Sequence, residues 1–313
     1  MTELPRAAIE ILERGRLCYL CVQTPQGPHA TPVVFAFDGG SIWITTSRRS
    51  VKARAWRQDP YAAGMVRHGG RAFTFRGMVT AYDLLEPGTW GASLLRAPAI
   101  TRAAARFTLK NARYFAGYAR DARRIPLAWT PPARVLASLD VEDGAVLDEE
   151  RGEVLEHWGH WGSRASSLAS FVPDGAAGPR APEDIELTLG EEGDGAFAVA
   201  AISGPAVLPV RWRRTGSSAI AVTARSFLDM AGVRSRTPAS LVADRASSWR
   251  ASKMRGVMLR GEAEVYLPSR VRAGREALLD AAGAPGERDA VVRLTPRSLV
   301  WWRGWTSDTV AAP

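Results

Sequence analysis

The chain has 313 residues, 46% of them hydrophobic, and a formal net charge of +9 carried almost wholly by arginine, since Lys52, Lys110 and Lys253 are the only lysines. This is enough apolar residue for two ordinary domains. No run approaches the ~20 apolar residues of a membrane helix, and the charges ahead of Leu17 interrupt any secretory leader, so a soluble, cytoplasmic protein without membrane contact is expected.

In chain order, apolar residues at Leu4, Ala8, Ile11 and Leu12 predict a helix that Gly15 ends. Three strands follow at residues 17–23, 30–37 and 41–46, separated by Pro25-Gln26-Gly27 and Asp38-Gly39-Gly40, which is the pattern of an antiparallel meander. Cys18 and Cys21 fall in the first of these strands. Positions i and i+3 of a strand face opposite ways, so the pair reads as core packing rather than a chelating or redox dithiol. A short helix over 50–58 stops before Asp59-Pro60, and strands over 61–67 and 72–82 flank His68-Gly69-Gly70. Residues 87–124 turn helical and basic, with Arg102, Arg106, Lys110, Arg113, Arg120, Arg123 and Arg124 among Phe107, Tyr114, Phe115 and Tyr118. They read as an amphipathic insertion over the first domain, and alternatively as a lid or a wall of an anion-binding groove. A strand over 133–139 closes the unit.

Residues 140–183 are acidic at first and then rich in Gly, Ser, Ala and Pro, as a connection is. They contain His157-Trp158-Gly159-His160-Trp161, which reads as an aromatic clamp between domains, since further metal ligands lack an evident pattern. No metal site is expected. Beyond it, strands are expected at 196–202, 206–212, 218–223, 240–244, 254–266, 290–294 and 298–303, with helices at 226–234 and 268–282.

The second set of elements repeats the first. Pro32-Val33 is answered by Pro209-Val210, the segment 44–60 by 222–238 without a gap, Arg76-Gly77 with Tyr82 by Arg260-Gly261 with Tyr266, and Thr130-Pro131 by Thr295-Pro296. Two copies of one unit are therefore expected, each a small mainly-β barrel with helices. The first spans 1–140 with its insertion at about 87–124, the connection spans 141–184, and the second copy spans 185–313. Such a chain is an intrachain pseudo-dimer, monomeric as a polypeptide.

The chemistry concentrates where the strand ending at Thr45 runs into Thr46-Ser47-Arg48-Arg49-Ser50-Val51-Lys52 and then a helix. Hydroxyls, backbone N–H groups at a helix start and two or three cations are what a phosphate needs. In the ungapped alignment Ser50 is answered by Leu228 and Lys52 by Met230, so a single phosphate site is expected. The opposite asymmetry holds near the C-terminus, where Trp301, Trp302 and Trp305 follow Thr295-Pro296 and the first copy has Ala137 against Trp302.

These residues resemble the pyridoxamine 5′-phosphate oxidase-like split β-barrel superfamily, the flavin/deazaflavin oxidoreductases. The resemblance is carried by Thr31-Pro32-Val33-Val34-Phe35, Ile44-Thr45-Thr46-Ser47 with Lys52, Asp59-Pro60, the Arg76-Gly77 strand and Thr295-Pro296 with Trp302. It covers nearly the whole chain, once per half, in short motifs. It implies two tandem split barrels with FMN, or F420, in the groove between them. It further implies that Thr45, Thr46, Ser47, Arg49, Ser50 and Lys52 hold the cofactor phosphate, that Pro32, Val33, Val34 and Phe35 meet the ring, and that Trp302 makes a cross-domain contact. The substrate-binding Arg and His positions of true pyridoxamine phosphate oxidases are not found at the C-terminus, which argues against that particular reaction.

The function expected is an oxidoreductase moving hydride between the cofactor and a small organic substrate. The cofactor carries such chemistry, so no catalytic side chain is singled out. An alternative is a split barrel that binds haem, a bilin or a stored cofactor without turnover, for which His29 and His68 are the first-copy ligand candidates, both expected to lie on the surface. A third, weaker reading is nucleic-acid binding by the arginines and aromatics of 102–124.

Overall fold

The computed structural model describes residues 4–83, 85, 86, 88, 90–121, 123, 133–161, 178–201, 204–215, 218–233, 235–245, 251–268, 279, 280, 282, 283 and 285–312. Thr130-Pro131 and most of the helix expected over 268–282 lie outside the described residues.

Helix α1 (Arg6–Arg14) precedes β1 (Cys18–Thr24), β2 (Gly27–Val33), β3 (Phe35–Asp38) and β4 (Ser41–Ser47). Helix α2 (Val51–Gln58) leads to β5 (Tyr61–His68) and β6 (Arg71–Tyr82). The insertion forms α3 (Trp90–Leu95), α4 (Ala97–Lys110) and α5 (Ala112–Asp121), after which β7 (Arg134–Asp148) and β8 (Glu153–Trp158) complete the half. The antiparallel sheet runs β2-β1-β5-β6-β7-β4-β3, with β8 on β7. β2 and β3 are one strand interrupted at Val34, so the sheet curls into a half-barrel.

The second half opens with α6 (Glu183–Leu189) and continues with β9 (Glu192–Ala201), β10 (Gly204–Thr215), β11 (Ser218–Ala224), α7 (Arg225–Ala231), β12 (Arg236–Arg245), β13 (Arg255–Tyr266), β14 (Asp289–Arg303) and β15 (Thr306–Ala311). Here β10 is unbroken, and pairing of β11 with β14 closes a six-stranded barrel. The strand order is that of the first half, element for element. The expectation of a mainly-β chain built from two split barrels is met.

β7 runs on to Asp148 and pairs with β8, so residues 141–158, read from composition as connection, are strands of the first sheet. Of the acidic residues that suggested a linker, Glu142, Glu150, Glu153 and Glu156 are solvated or half-solvated positions of this hairpin, whereas Asp143 is buried.

The repeated Arg-Gly pair has a local cause. In both halves the strand that follows is bulged opposite the Arg-Gly pair, with Glu142 of β7 and Arg297 of β14 as the extra residues. A Cβ on Gly77 would come within 2.0 Å of the Asp140 carbonyl oxygen, and one on Gly261 within 1.9 Å of that of Thr295. Only glycine fits so close a backbone approach.

Alternation on β1 sends Cys18, Leu20 and Val22 into the first barrel, while Tyr19 and Cys21 face the second half. The two cysteines are buried on opposite faces, and burial pushes each thiol up to about 12. One core fills the first barrel. Another runs from the outer faces of β1, β5 and β6 into the second barrel, so residues of both halves share it. Thr74 donates to the Val207 carbonyl (2.7 Å) and the Tyr19 hydroxyl to Asp244 (2.9 Å) across this face.

Candidate functional site

The β4–α2 connection carries the cradle. Ser50 caps α2 by accepting from the Ala53 amide (3.1 Å), and Thr46 donates its hydroxyl to Ser50 (2.9 Å). Ser47 accepts from the Arg49 amide at 3.4 Å, and the Arg49 side chain is exposed. Arg48 is tied to Asp83. Lys52 turns inward to donate to the Thr31 hydroxyl on β2 (2.5 Å), while Arg134 on β7 grips the hydroxyl and carbonyl of Thr45 (2.9 Å each). Burial, and then the neighbouring Arg134, brings the Lys52 amine down to about 8.

Two further groups, His29 and Arg260, which the sequence reading did not assign to the cradle, lie nearby, with His29 in the field of both Lys52 and Arg260. His29 on β2 is 6% exposed, its Nδ1 has no hydrogen-bond partner, and burial followed by the charges of Lys52 and Arg260 lowers it to about 3. The surface position expected for His29 is thus overturned. Residues flanking it in β2 pack against β12 and β13 of the second half, where Gly27 approaches Pro238. Arg260 belongs to that second half, at its bulge; it donates to Ser298 (3.2 Å), and burial lowers its pKa from the ordinary arginine value. Among the described residues no carboxylate pairs with Lys52 or Arg260. Two cations and a neutral imidazole with an unused nitrogen therefore meet where the halves join. The signal for Arg260 lay in the repeated Arg-Gly pair; nothing in the local sequence marked His29 as buried.

Of the residues expected at a cofactor ring, Pro32, Val33 and Val34 are half-buried, with Val33 packed against the core of the first barrel. Phe35 is not available to it. Its ring is fully buried in the first barrel, with the Lys110 ammonium 3.6 Å from the ring centre. The interruption at Val34 turns β3 so that Phe35 faces inward. Trp302 lies over Gly256, where a Cβ would come 2.2 Å from the indole, next to the Asp244 that bonds Tyr19. The structure places it at the inter-half face without joining it to the Thr46–Lys52 cradle.

Strand register corrects the alignment of the copies. Ile42 and Ala219 occupy equivalent places opposite Leu139 and Leu294, and Tyr61 and Pro238 opposite Met78 and Glu262. The ungapped sequence match is therefore one residue out of register: Lys52 is answered by Asp229 and Ser50 by Phe227. Trp302 stands at the place of Leu147, with Gly256 at that of Ala72, and not at the place of Ala137.

The pseudo-symmetric counterpart of the junction is built differently. Arg76, the equivalent of Arg260, is fully buried and donates to Asp143 (2.7 Å) and to the His160 carbonyl (3.1 Å), with its guanidinium 4.3 Å from the centre of Trp161. Tyr61 and the His160 amide also bond Asp143, at 3.1 and 2.8 Å. Against the opposing pull of burial, the His160 amide and Arg76 hold the Asp143 carboxyl below its ordinary range. The start of α7 is likewise occupied, since Ser226 donates to the Gly152 carbonyl in the β7–β8 turn (2.7 Å). The expected clamp residues serve here: Trp161 stacks on Arg76, whereas Trp158 stacks on Phe73 of the first barrel. One junction is electrostatically closed by the chain's own groups, and the other is left with surplus positive charge.

The insertion is less free than its arginines suggested. Arg102 and Arg106 pair with Asp38, Arg96 pairs with Asp140, and Phe107 and Tyr114 are buried, so this is no exposed stacking surface. Among the described residues no cluster suits a metal ion, and no helix is long and apolar enough to cross a membrane.

No family model and no curated protein matches the chain. Among solved structures, a pyridoxamine 5′-phosphate oxidase-related, FMN binding protein from Nostoc punctiforme is similar at 20% identity over 48% of this chain and 88% of its own, with a TM-score of 0.35. A conserved hypothetical protein from Mycobacterium tuberculosis is similar at 23% identity over 51% and 94%, with a TM-score of 0.34. An F420 reductase is similar at 21% identity over 45% and 98%, with a TM-score of 0.30.

Proposed function

We propose that the chain binds a phosphate-bearing flavin-type cofactor, FMN, at the junction between its halves, and acts as an oxidoreductase on a small organic substrate. The observation that carries this reading is the group of Lys52, Arg260 and His29: two cations without carboxylate partners and one unpartnered imidazole nitrogen, contributed by both halves beside a capped helix start. Keeping such charges from water without a counter-ion is costly, and an anion from outside offsets that cost. The cradle fits a phosphate. Lys52 and Arg260 supply charge, Ser50 and the first amides of α2 supply direction, and the half-buried Pro32, Val33 and Val34 offer an apolar edge to a ring. Bound FMN would supply hydride transfer, while these residues hold it and keep water out. Arg49, exposed on the loop, stands at the mouth, where a second anionic group can reach it.

Titration of cofactor-stripped protein with FMN, F420 and haem, followed by absorbance and flavin fluorescence, tests the reading. FMN is expected to bind once per chain, and Lys52→Met and Arg260→Met are each expected to weaken it about tenfold or more, the loss of one charge-assisted contact. Lys253→Met should leave affinity unchanged. Preference for F420 would change the cofactor, a Soret band would replace the flavin reading with haem, and equal affinity in all three variants would overturn the cradle.

A further inference from the structure

A cavity of about 400 Å³ opens on the outer face of β9, β10 and β11, within the range of small-ligand sites. It shares no residue with the junction above. Its walls include Arg211, Trp212, Arg213, Ile220, Val222 and Arg245, with Gly283 on the far side.

The first half shows what occupies the equivalent face there. Register places Trp43 where the second half has Ile220, and Val34 and Ala36 where it has Arg211 and Arg213. Trp43 is buried, stacks on Tyr82 with ring centres 5.7 Å apart and is covered by Ala103 of α4. In the second half the large ring is missing, and Tyr266, the counterpart of Tyr82, is held by Glu264 through its hydroxyl (2.6 Å). On this face the second half has instead the cavity, with the buried Ile220 and Val222 in its wall and guanidinium groups around it together with Glu192 and Asp194.

The charges are unequal. Arg213 is neutralised by Glu192, and Asp194 faces Arg67 of the first half at 3.6 Å. Arg245 donates to a neutral acceptor, the Leu189 carbonyl (3.3 Å), and Arg211 is exposed with no carboxylate partner among the described residues. Planar forks of this kind match a carboxylate in two-point geometry, and the apolar side of the cavity matches a ring.

We propose that this cavity binds a small aromatic carboxylate, its ring lying in the place Trp43 fills in the first half and its carboxylate paired with Arg211. The site is independent of the cofactor junction.

Isothermal titration calorimetry with 2-naphthoate, and with the neutral 2-naphthamide as its counterpart, tests this. The acid is expected to bind at one site per chain and the amide about tenfold more weakly or worse. Arg211→Glu should weaken the acid by at least that factor and leave the amide unchanged. Ile220→Trp, which restores the first half's ring, should abolish binding of both with an unchanged circular dichroism spectrum. Should Ile220→Trp fail to fold, the charge-reversal variant still decides. Lys52→Met should bind naphthoate as the parent does, which separates this site from the cofactor reading. Absence of saturable binding up to millimolar naphthoate, or equal affinity in Arg211→Glu, would overturn the proposal.

Discussion

Lys52 gives up its proton near pH 8 in the folded chain and near 10.5 as a free side chain. Below pH 8 it is charged in both states, and the cost of holding that charge away from water is present in full; the cost fades as pH rises from 8 towards 10.5. Lys52→Met should therefore raise the Tm of the cofactor-free protein at pH 7 while weakening FMN, a pairing that differential scanning fluorimetry with and without FMN reads directly. A destabilised variant would mean the amine serves the fold through Thr31. His29 works at the other end of the pH scale. It charges near 6.5 when unfolded and near 3 when folded, so its contribution is whole above pH 6.5 and is lost as pH falls towards 3. His29→Asn should flatten the acid limb of a Tm–pH profile across that window; an unchanged slope there would deny the burial. Lys52 was legible in the sequence because a cation just inside a capped helix has a local signature. His29 was not, because its burial is imposed by strands from the other half of the chain.

At the level of elements, what could be read from sequence was what alternation and turn residues dictate: the β1–β4 meander, α2 ending before Asp59-Pro60, and the split of Cys18 from Cys21. Pairing across long separations was not legible. Phe35 was assigned to the cofactor ring by the resemblance of Thr31-Pro32-Val33-Val34-Phe35 to a family motif, yet the break at Val34 sends its ring into the barrel. The acidic stretch after Asp140 looked like a linker because an edge hairpin has one solvated face. The copies were aligned one residue out because a conserved-looking proline attracted the match, whereas hydrogen-bond register fixes the true equivalence. The bulges are the firmest element-level feature. Gly77→Ala and Gly261→Ala should each cost about 3 kcal/mol, as overpacking against backbone does, measured by urea unfolding. Ser50→Ala, which removes only the α2 cap, should cost about 1 kcal/mol. A smaller loss for either glycine variant than for Ser50→Ala would show that the strands can slide apart at the bulge.

Across the whole molecule the two barrels do not own separate interiors. Cys21, Ala63, Met65 and Leu147 from the first half lie in the same buried cluster as Phe197, Leu208, Leu241 and Met258 from the second. Heating should therefore give a single calorimetric transition, with matching calorimetric and van't Hoff enthalpies; two resolved transitions would mean the shared cluster contributes little. The duplicated architecture was legible in the repeated motifs, but the unequal fate of its two junctions was not. That inequality depends on Asp143 meeting Arg76 and on Ser298 meeting Arg260, contacts made between strands far apart in sequence.

The shared interior also changes what dilution does. Two separate chains that build a site between them lose it when their concentration falls below their dissociation constant. Here the partner surface is delivered on the same polypeptide, at an effective concentration set by the tether. Occupancy of the junction should then depend on ligand alone, and remain constant as the protein is diluted through nanomolar concentrations.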